Sequence, residues 1–338
     1  MDLGGVPAWW LAVHLAVAAA GTWLARRYAI RRALIDHPGE RRSHQLPTPR
    51  GGGAGIVAAL LLALAWLAWS RPALRPVLLA AATGLALVAG IGWADDHRPL
   101  PAIVRLLVHA LAGALLGTGL WLFLGAPAWF GVLAALLALV LVNVWNFMDG
   151  IDALAASQAG IAGAGYLLLA GHGPVAWLAA ALVAGCVAFL PFNLPRARVF
   201  LGDIGSGALG FALACVVALS CVRTRFDEWA LLALLPLAPF GIDAGLTLAS
   251  RILNGERWWE PHATHAYQRW ARRAGHGTVA LAYAAWTLAG VALMLWLPAG
   301  SGWSLAAAAG FVLCGAGAWW MARTKGNKQG NQGREGNG

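Results

Sequence analysis

The stretch PAWFGVLAALLALVLVNVWNFMDGID, residues 127–152, decides the fold. Residues 127–146 are apolar apart from Asn143 and Asn146. At about 1.5 Å of helical rise per residue, that run crosses a hydrocarbon layer about 30 Å thick. The end of the stretch changes character. Asn143, Asn146, Asp149 and Asp152 recur at every third position, so consecutive members would be neighbours on a helix surface. Gly150 offers a place for that helix to break and turn Asp149 and Asp152 toward water. The stretch reads as a membrane span that delivers a polar cluster to one membrane edge.

The same pattern repeats along the chain. Apolar runs lie near 7–25, 52–69, 77–93, 102–124, 127–146, 156–171, 174–190, 207–222, 229–250, 278–297 and 303–321. This predicts an all-α, polytopic membrane bundle of about 11 transmembrane helices. Residues 1–322 would form one integral membrane domain, and 323–338, rich in Gly, Asn and Gln, a disordered cytoplasmic tail. Composition agrees. Of 338 residues 60% are hydrophobic and 11% charged, against about 25% charged in soluble domains, and mean hydropathy is +0.66. A transmembrane β-barrel, built from alternating segments of about 10 residues, is excluded. Cys186, Cys215, Cys221 and Cys314 sit in apolar runs without CxxC spacing and read as small core residues.

A net charge of +10 would suggest nucleic acid in a soluble protein. Here topology absorbs it. With the N-terminus outside and the C-terminus cytoplasmic, 19 of the 24 Lys and Arg residues fall on the cytoplasmic side, as the positive-inside rule requires, and no nucleic acid is needed. No Lys or Arg precedes the first apolar run, whereas Arg26, Arg27, Arg31 and Arg32 follow it, so it reads as a span and not as a cleaved signal peptide. Tryptophans such as Trp9, Trp10, Trp66 and Trp69 lie near span ends, where aromatic belts form.

Of 14 acidic residues, Asp95, Asp96, Asp149, Asp152, Asp203 and Asp243 occupy or border spans. Each carboxylate near hydrocarbon costs about 2.5–3.5 kcal/mol, so their accumulation points to function. All but Asp243 fall at expected cytoplasmic ends, as a divalent cation holding phosphate oxygens would require. Single members could equally cap helices or pair with loop arginines. Asp243 lies in a span interrupted by Pro236, Pro239, Gly241 and Gly245, where a local structural partner is enough to explain it.

Three further segments carry polar chemistry. Phe200-Leu201-Gly202-Asp203-Ile204-Gly205-Ser206 places an acid between glycines at a span start, where free N–H groups favour phosphate. The run from Arg42 to Gly53, including His44 and Arg50, joins a basic loop to a glycine-rich helix start. After Pro261, a first-turn residue, a helix would place His262, His265 and Arg269 on one face. No cysteine or third histidine has matching spacing, so hydrogen bonding to sugar or phosphate is favoured there over zinc. Arg105 stands about 7 Å inside its span and must snorkel or meet an anion, either Asp95 or Asp96 or a phosphate.

Together these segments resemble the polyprenyl-phosphate N-acetylhexosamine-1-phosphate transferases, the glycosyltransferase 4 group. The resemblance runs from about Asp36 to Arg273 and rests on Ser43-His44-x-x-Pro47-Thr48-Pro49-Arg50-Gly-Gly-Gly, Gly92-x-x-Asp95-Asp96, Asn143-x-x-Asn146-Phe147-x-Asp149-Gly150-x-Asp152, Phe200-x-Gly202-Asp203-x-Gly205-Ser206 and His262-x-x-His265-x-Tyr267-Gln268-Arg269. It implies transfer of a sugar 1-phosphate from a UDP-N-acetylhexosamine to undecaprenyl phosphate, with release of UMP, at the cytoplasmic face of a bacterial inner membrane. The stretch from His37 to His44 looks more like the O-antigen branch than the peptidoglycan one.

By the same resemblance Asp203 is the main ligand for Mg2+, or Mn2+ in its place, with Asn146 or Asp152 helping at metal or nucleotide. Asp95 and Asp96 match the acidic pair assigned to the acceptor phosphate, and with Asp203 they form the expected catalytic set. Phe200 matches the ring near uracil, His262 and His265 the sugar or phosphate loop, and Arg105 a basic phosphate-binding position. His44, Arg50, Asp149 and Arg269 complete the substrate-binding set. Ala153 stands where many relatives carry glycine. A homodimer is compatible with this reading. A cation-coupled transporter is the alternative, but its sites belong near the bilayer midplane.

Overall fold

The computed structural model describes residues 5–37, 46–223, 229–257, 262–298 and 300–332. Its helices are α1 (Ala8–Arg31), α2 (Ala54–Ser70), α3 (Arg75–His97), α4 (Ala102–Leu124), α5 (Ala128–Phe147), α6 (Leu154–Ala170), α7 (Pro174–Asn193), α8 (Asp203–Arg223), α9 (Trp229–Leu232), α10 (Ala238–Leu253), α11 (Ala266–Ala274), α12 (His276–Trp296) and α13 (Gly302–Gln332). Among the described residues nine helical segments are long and apolar enough to cross a membrane, and α2 and α6 are shorter apolar helices. The protein is an all-α polytopic membrane bundle. Its extended structure is one antiparallel pair, Ile35–Asp36 with Thr48–Pro49, among the described residues.

Packing explains the order of the helices. α8 is buried almost along its whole span, with Phe211, Leu213, Ala214 and Val216 fully enclosed. Around it stand α3, α5 and α6, while α4 packs on both α3 and α5. Small residues let the backbones close up: Gly117 of α4 faces Gly131 of α5, and Gly21 of α1 faces Gly55 of α2. The outer faces of α4 and α5 expose Leu107, Leu122, Val132 and Leu133, which suits hydrocarbon and not water.

Two expectations change. α8 begins at Asp203 and not at 207, so the Gly-Asp-x-Gly-Ser segment is the first turn of the helix. α13 continues past Arg323 to Gln332, through part of the segment that composition marks as a disordered tail.

Candidate active site

The site forms where one end of α3, α4, α5 and α8 meets the connections beside them. Gly52 and Gly53 donate to the carbonyls of Phe200 and Leu201 at 2.9 Å, and Phe200 donates to Pro49 at 2.8 Å. These bonds join the basic loop directly to the start of α8. α3 then approaches so closely that a methyl group on Gly92 would overlap the Asp203 backbone. Gly202 has φ of +75°, and a Cβ there would fall 2.6 Å from Asp96 Oδ2.

Asp96 is 4% exposed and accepts the backbone N–H groups of Asp203 (3.1 Å) and Ile204 (3.2 Å). It is a helix cap supplied from another helix, favourably placed at the positive end of the α8 dipole. The N–H groups expected to cradle phosphate are therefore already engaged. Arg50 Nε lies 4.0 Å from Asp96 Oδ1.

Asp95 faces the other way. Its Oδ1 accepts Leu100 N–H at 2.6 Å, which closes the turn between α3 and α4, and its Oδ2 accepts Arg105 Nη1 at 2.8 Å. The same Nη1 donates to Asp203 Oδ2 at 3.2 Å, while Asn146 Nδ2 donates to Asp203 Oδ1 at 2.9 Å. Asp95, Arg105, Asp203 and Asn146 thus form one connected polar chain drawn from four helices. Of the two partners sequence offered Arg105, the structure shows acids, Asp95 together with Asp203.

α5 ends at Phe147, before Gly150, so the row from Asn143 to Asp152 does not stay on one helix face. Asn143 folds back onto the Leu139 carbonyl at 2.7 Å. The half-buried Asp149 carboxylate has no hydrogen bond among the described residues. Burial, reinforced by the carboxylates of Asp203, Asp96 and Asp152, pushes its pKa well above the usual range. Asp152 is 7% exposed, accepts Ala197 N–H at 3.1 Å and meets His276 Nδ1 at 3.3 Å. It clips two connections together. Of the five carboxylates expected to meet, Asp95 and Asp203 converge on Arg105, Asp149 lies within electrostatic reach of Asp203, Asp96 and Asp152, and both oxygens of Asp96 are taken by backbone donors.

The helix expected from Pro261 begins instead at Ala266, with His265 as its N-cap, so His262 lies outside it; Pro261 is outside the described residues, as is His44. The two histidines still meet, with ring centroids 5.0 Å apart and planes at 27°. His265 is buried beside Phe147 and its Nδ1 is 3.6 Å from Asp243 Oδ1. His262 bonds Thr264 Oγ1 at 2.9 Å, and burial with His265, Arg251 and Arg323 nearby holds its pKa down to about 4. It is a neutral imidazole near pH 7. Arg269 is half-buried close to Arg272, Arg273 and Arg323, so this end of α11 is strongly positive.

Asp243 has the structural role that sequence left open. It accepts Ala266 N–H (3.0 Å), Tyr267 N–H (2.9 Å), Tyr283 Oη (2.6 Å) and Thr247 Oγ1 (3.2 Å). From α11, Tyr267 Oη donates to the Phe147 carbonyl at 2.9 Å and packs where a Gly150 side chain would be. Asn193 is a residue the sequence reading missed: its Oδ1 accepts Ala153 N–H at 2.8 Å and its Nδ2 donates to Val199 at 3.0 Å. A lone asparagine at the end of an apolar span was the available signal. His276 gave none.

The sequence that builds this site has relatives. The family model described as Glycosyl transferase family 4 matches residues 78–221, which hold Asp95, Asp96, Arg105, Asn146 and Asp203. The decaprenyl-phosphate N-acetylglucosaminephosphotransferase of Mycobacterium tuberculosis is 32% identical over 313 residues, covering 78% of this chain and 76% of the relative. The chain belongs to glycosyl transferase family 4. Another similar member is the probable undecaprenyl-phosphate N-acetylglucosaminyl 1-phosphate transferase of Bacillus subtilis, 29% identical over 73% of this chain and 72% of its own length. The phospho-N-acetylmuramoyl-pentapeptide-transferase of Moorella thermoacetica is 34% identical over 51% of this family 4 chain and 62% of its own.

Proposed function

We propose that this family 4 protein transfers a sugar 1-phosphate from a UDP-N-acetylhexosamine to undecaprenyl phosphate. The products would be an undecaprenyl-pyrophosphoryl sugar and UMP, starting a cell-surface polysaccharide at the cytoplasmic face of a bacterial inner membrane. The observation that carries this reading is the convergence of Asp95 and Asp203, from separate helices, on one cationic nitrogen of Arg105. Basic loops beside the site support a cytoplasmic orientation.

The donor set fits Mg2+. Among the described residues no three His, Cys, Asp or Glu side chains form a ready metal cage. Mg2+ is ordinarily held by one or two carboxylates, with substrate phosphates and waters completing its shell. Asp203 and Asp95, with Asn146 beside them, would hold it, and Mn2+ would substitute. When bound, the ion neutralises charge on the pyrophosphate that is broken.

The chain's own groups do the rest. Attack of one phosphate on another brings two anions together, so donors must surround them. Arg50 and Arg105 stand on the α3 and α4 side, and Arg269 on α11. The acceptor phosphate is already ionised near neutral pH, so Asp95 positions it through the cation site and need not act as a base. Neutral His262, beside buried His265, can donate one hydrogen bond to the sugar or its phosphate. Phe200 lies half-buried next to Gly52, where a base could stack.

The test is UMP release by purified protein in detergent with undecaprenyl phosphate and a panel of UDP-sugars. Magnesium-dependent release with a UDP-N-acetylhexosamine supports the reading. Absence of release with every donor, from folded protein, refutes it.

A further inference from the structure

Arg105 bridges the two acids proposed above to hold the metal. One nitrogen, Nη1, touches Asp95 Oδ2 at 2.8 Å and Asp203 Oδ2 at 3.2 Å, so both oxygens are directed at a single position. The other oxygen of each acid is occupied, by Leu100 N–H and by the Asn146 amide respectively. The two oxygens facing Arg105 are thus the pair left for a cation. Arg105 stands in the first turn of α4, on a side chain 31% exposed, with a long flexible stem that can swing without moving the helix.

We propose that Arg105 is a displaceable counter-ion of the metal position: it holds Asp95 and Asp203 together until a divalent cation enters, and then turns to the phosphates. Two facing carboxylates without a cation would repel each other at the edge of a low-dielectric region. The guanidinium prevents that and keeps their oxygens in place. A divalent ion brings twice the charge to the same point and competes with it. Once released, Arg105 offers a planar fork suited to phosphate oxygens. Arg105 is therefore a positioning residue before the metal arrives and a phosphate contact afterwards. Competition of this kind is reciprocal, so removing the arginine must strengthen metal binding.

This inference rests on the metal reading above, and its test needs no turnover. Mn2+ binding to purified full-length protein is measured by electron paramagnetic resonance titration in detergent, without donor or acceptor. Arg105→Gln, and Arg105→Met as the variant that keeps an apolar stem, should each bind Mn2+ tighter by about 5–150-fold, the usual range of site coupling. Arg50→Gln removes an equal charge that lies against Asp96 and should change Mn2+ affinity far less. With Mn2+ saturating, UMP should bind more weakly to the Arg105 variants than to the parent. Unchanged or weaker Mn2+ binding in folded Arg105 variants overturns the proposal, as does an equal gain in Arg50→Gln, which would reveal only a general field effect. An inactive protein that shows this linkage would sink the transferase reading alone; an active one without it would sink this inference alone.

Discussion

Asp96 holds Asp203 in place through the backbone: its two oxygens accept the N–H groups of Asp203 and Ile204 at 3.1 and 3.2 Å. The two members of the Asp95-Asp96 pair therefore do different work. Asp95 directs a carboxylate oxygen at the Arg105 position, and Asp96 fixes the helix start that presents Asp203.

Separate consequences follow for the pair. Asp95→Asn should leave thermal stability close to the parent and lower turnover at least about 100-fold, the loss expected when one electrostatic support of the reacting phosphates is removed. Asp96→Ala should cost about 1–3 kcal/mol of stability, as expected for two buried donors left unpaired at a helix start. Scanning fluorimetry beside the UMP assay separates the two. Equal stability of both variants would contradict the division.

Ala153 adopts φ of +65°, a left-handed conformation that glycine takes without strain, and its N–H is held by Asn193. An L-residue there costs about 1–2 kcal/mol, partly offset because alanine restricts the unfolded chain. Ala153→Gly should raise stability by up to about 1 kcal/mol and leave activity intact. A lower Tm would show that the methyl group packs usefully.

Asp149 carries a carboxyl whose pKa is raised by burial and by like charges. A group raised in the folded state binds its proton more tightly there than in the unfolded chain, so stability falls as pH rises from about 4 toward the folded value. Asp149→Asn should remove that fall, making the variant more stable than the parent at neutral pH, while transfer declines. Such an exchange of stability for activity marks a charge kept for function. Parallel stability–pH curves for parent and variant would contradict this.

The loop holding Leu46 and the connection holding Ala73 are assigned to opposite sides of the membrane. Cysteines placed at Leu46 and Ala73, both exposed in the fold, should react from opposite sides with an impermeant reagent. Reaction of both on intact cells would contradict the orientation.

The bundle was legible because hydrocarbon demands long apolar runs: among the described residues nine apolar helical segments are long enough to cross a membrane, α2 and α6 are shorter, and the expected run 229–250 is divided between α9 and α10. Asp95, Asp203, Asn146 and Arg105 were legible as polar groups that hydrocarbon makes costly, and they meet. What stayed hidden was the division of labour among the acids. Asp96, Asp152 and Asp243 each accept backbone N–H groups from segments distant in sequence, at 203–204, 197 and 266–267. Periodicity reports which face a residue occupies and is silent about a partner 107 residues away. The same holds for Ala153, whose left-handed backbone depends on Asn193 and not on its neighbours. The local spacing of His262 and His265 suits a helix, but the helix starts later, where Asp243 accepts the N–H groups of Ala266 and Tyr267.

Asp203 is proposed above to hold the cation for a phosphoryl-sugar transfer. The most direct measurement is magnesium-dependent UMP release from UDP-N-acetylglucosamine and undecaprenyl phosphate, comparing parent with Asp203→Asn at matched amounts of folded protein. The asparagine keeps the size and one oxygen but removes the charge. Release should fall to background at every magnesium concentration while size-exclusion profile and Tm stay near those of the parent. Asp203→Asn protein that still turns over at half the parental rate, with the same magnesium requirement, would contradict that role.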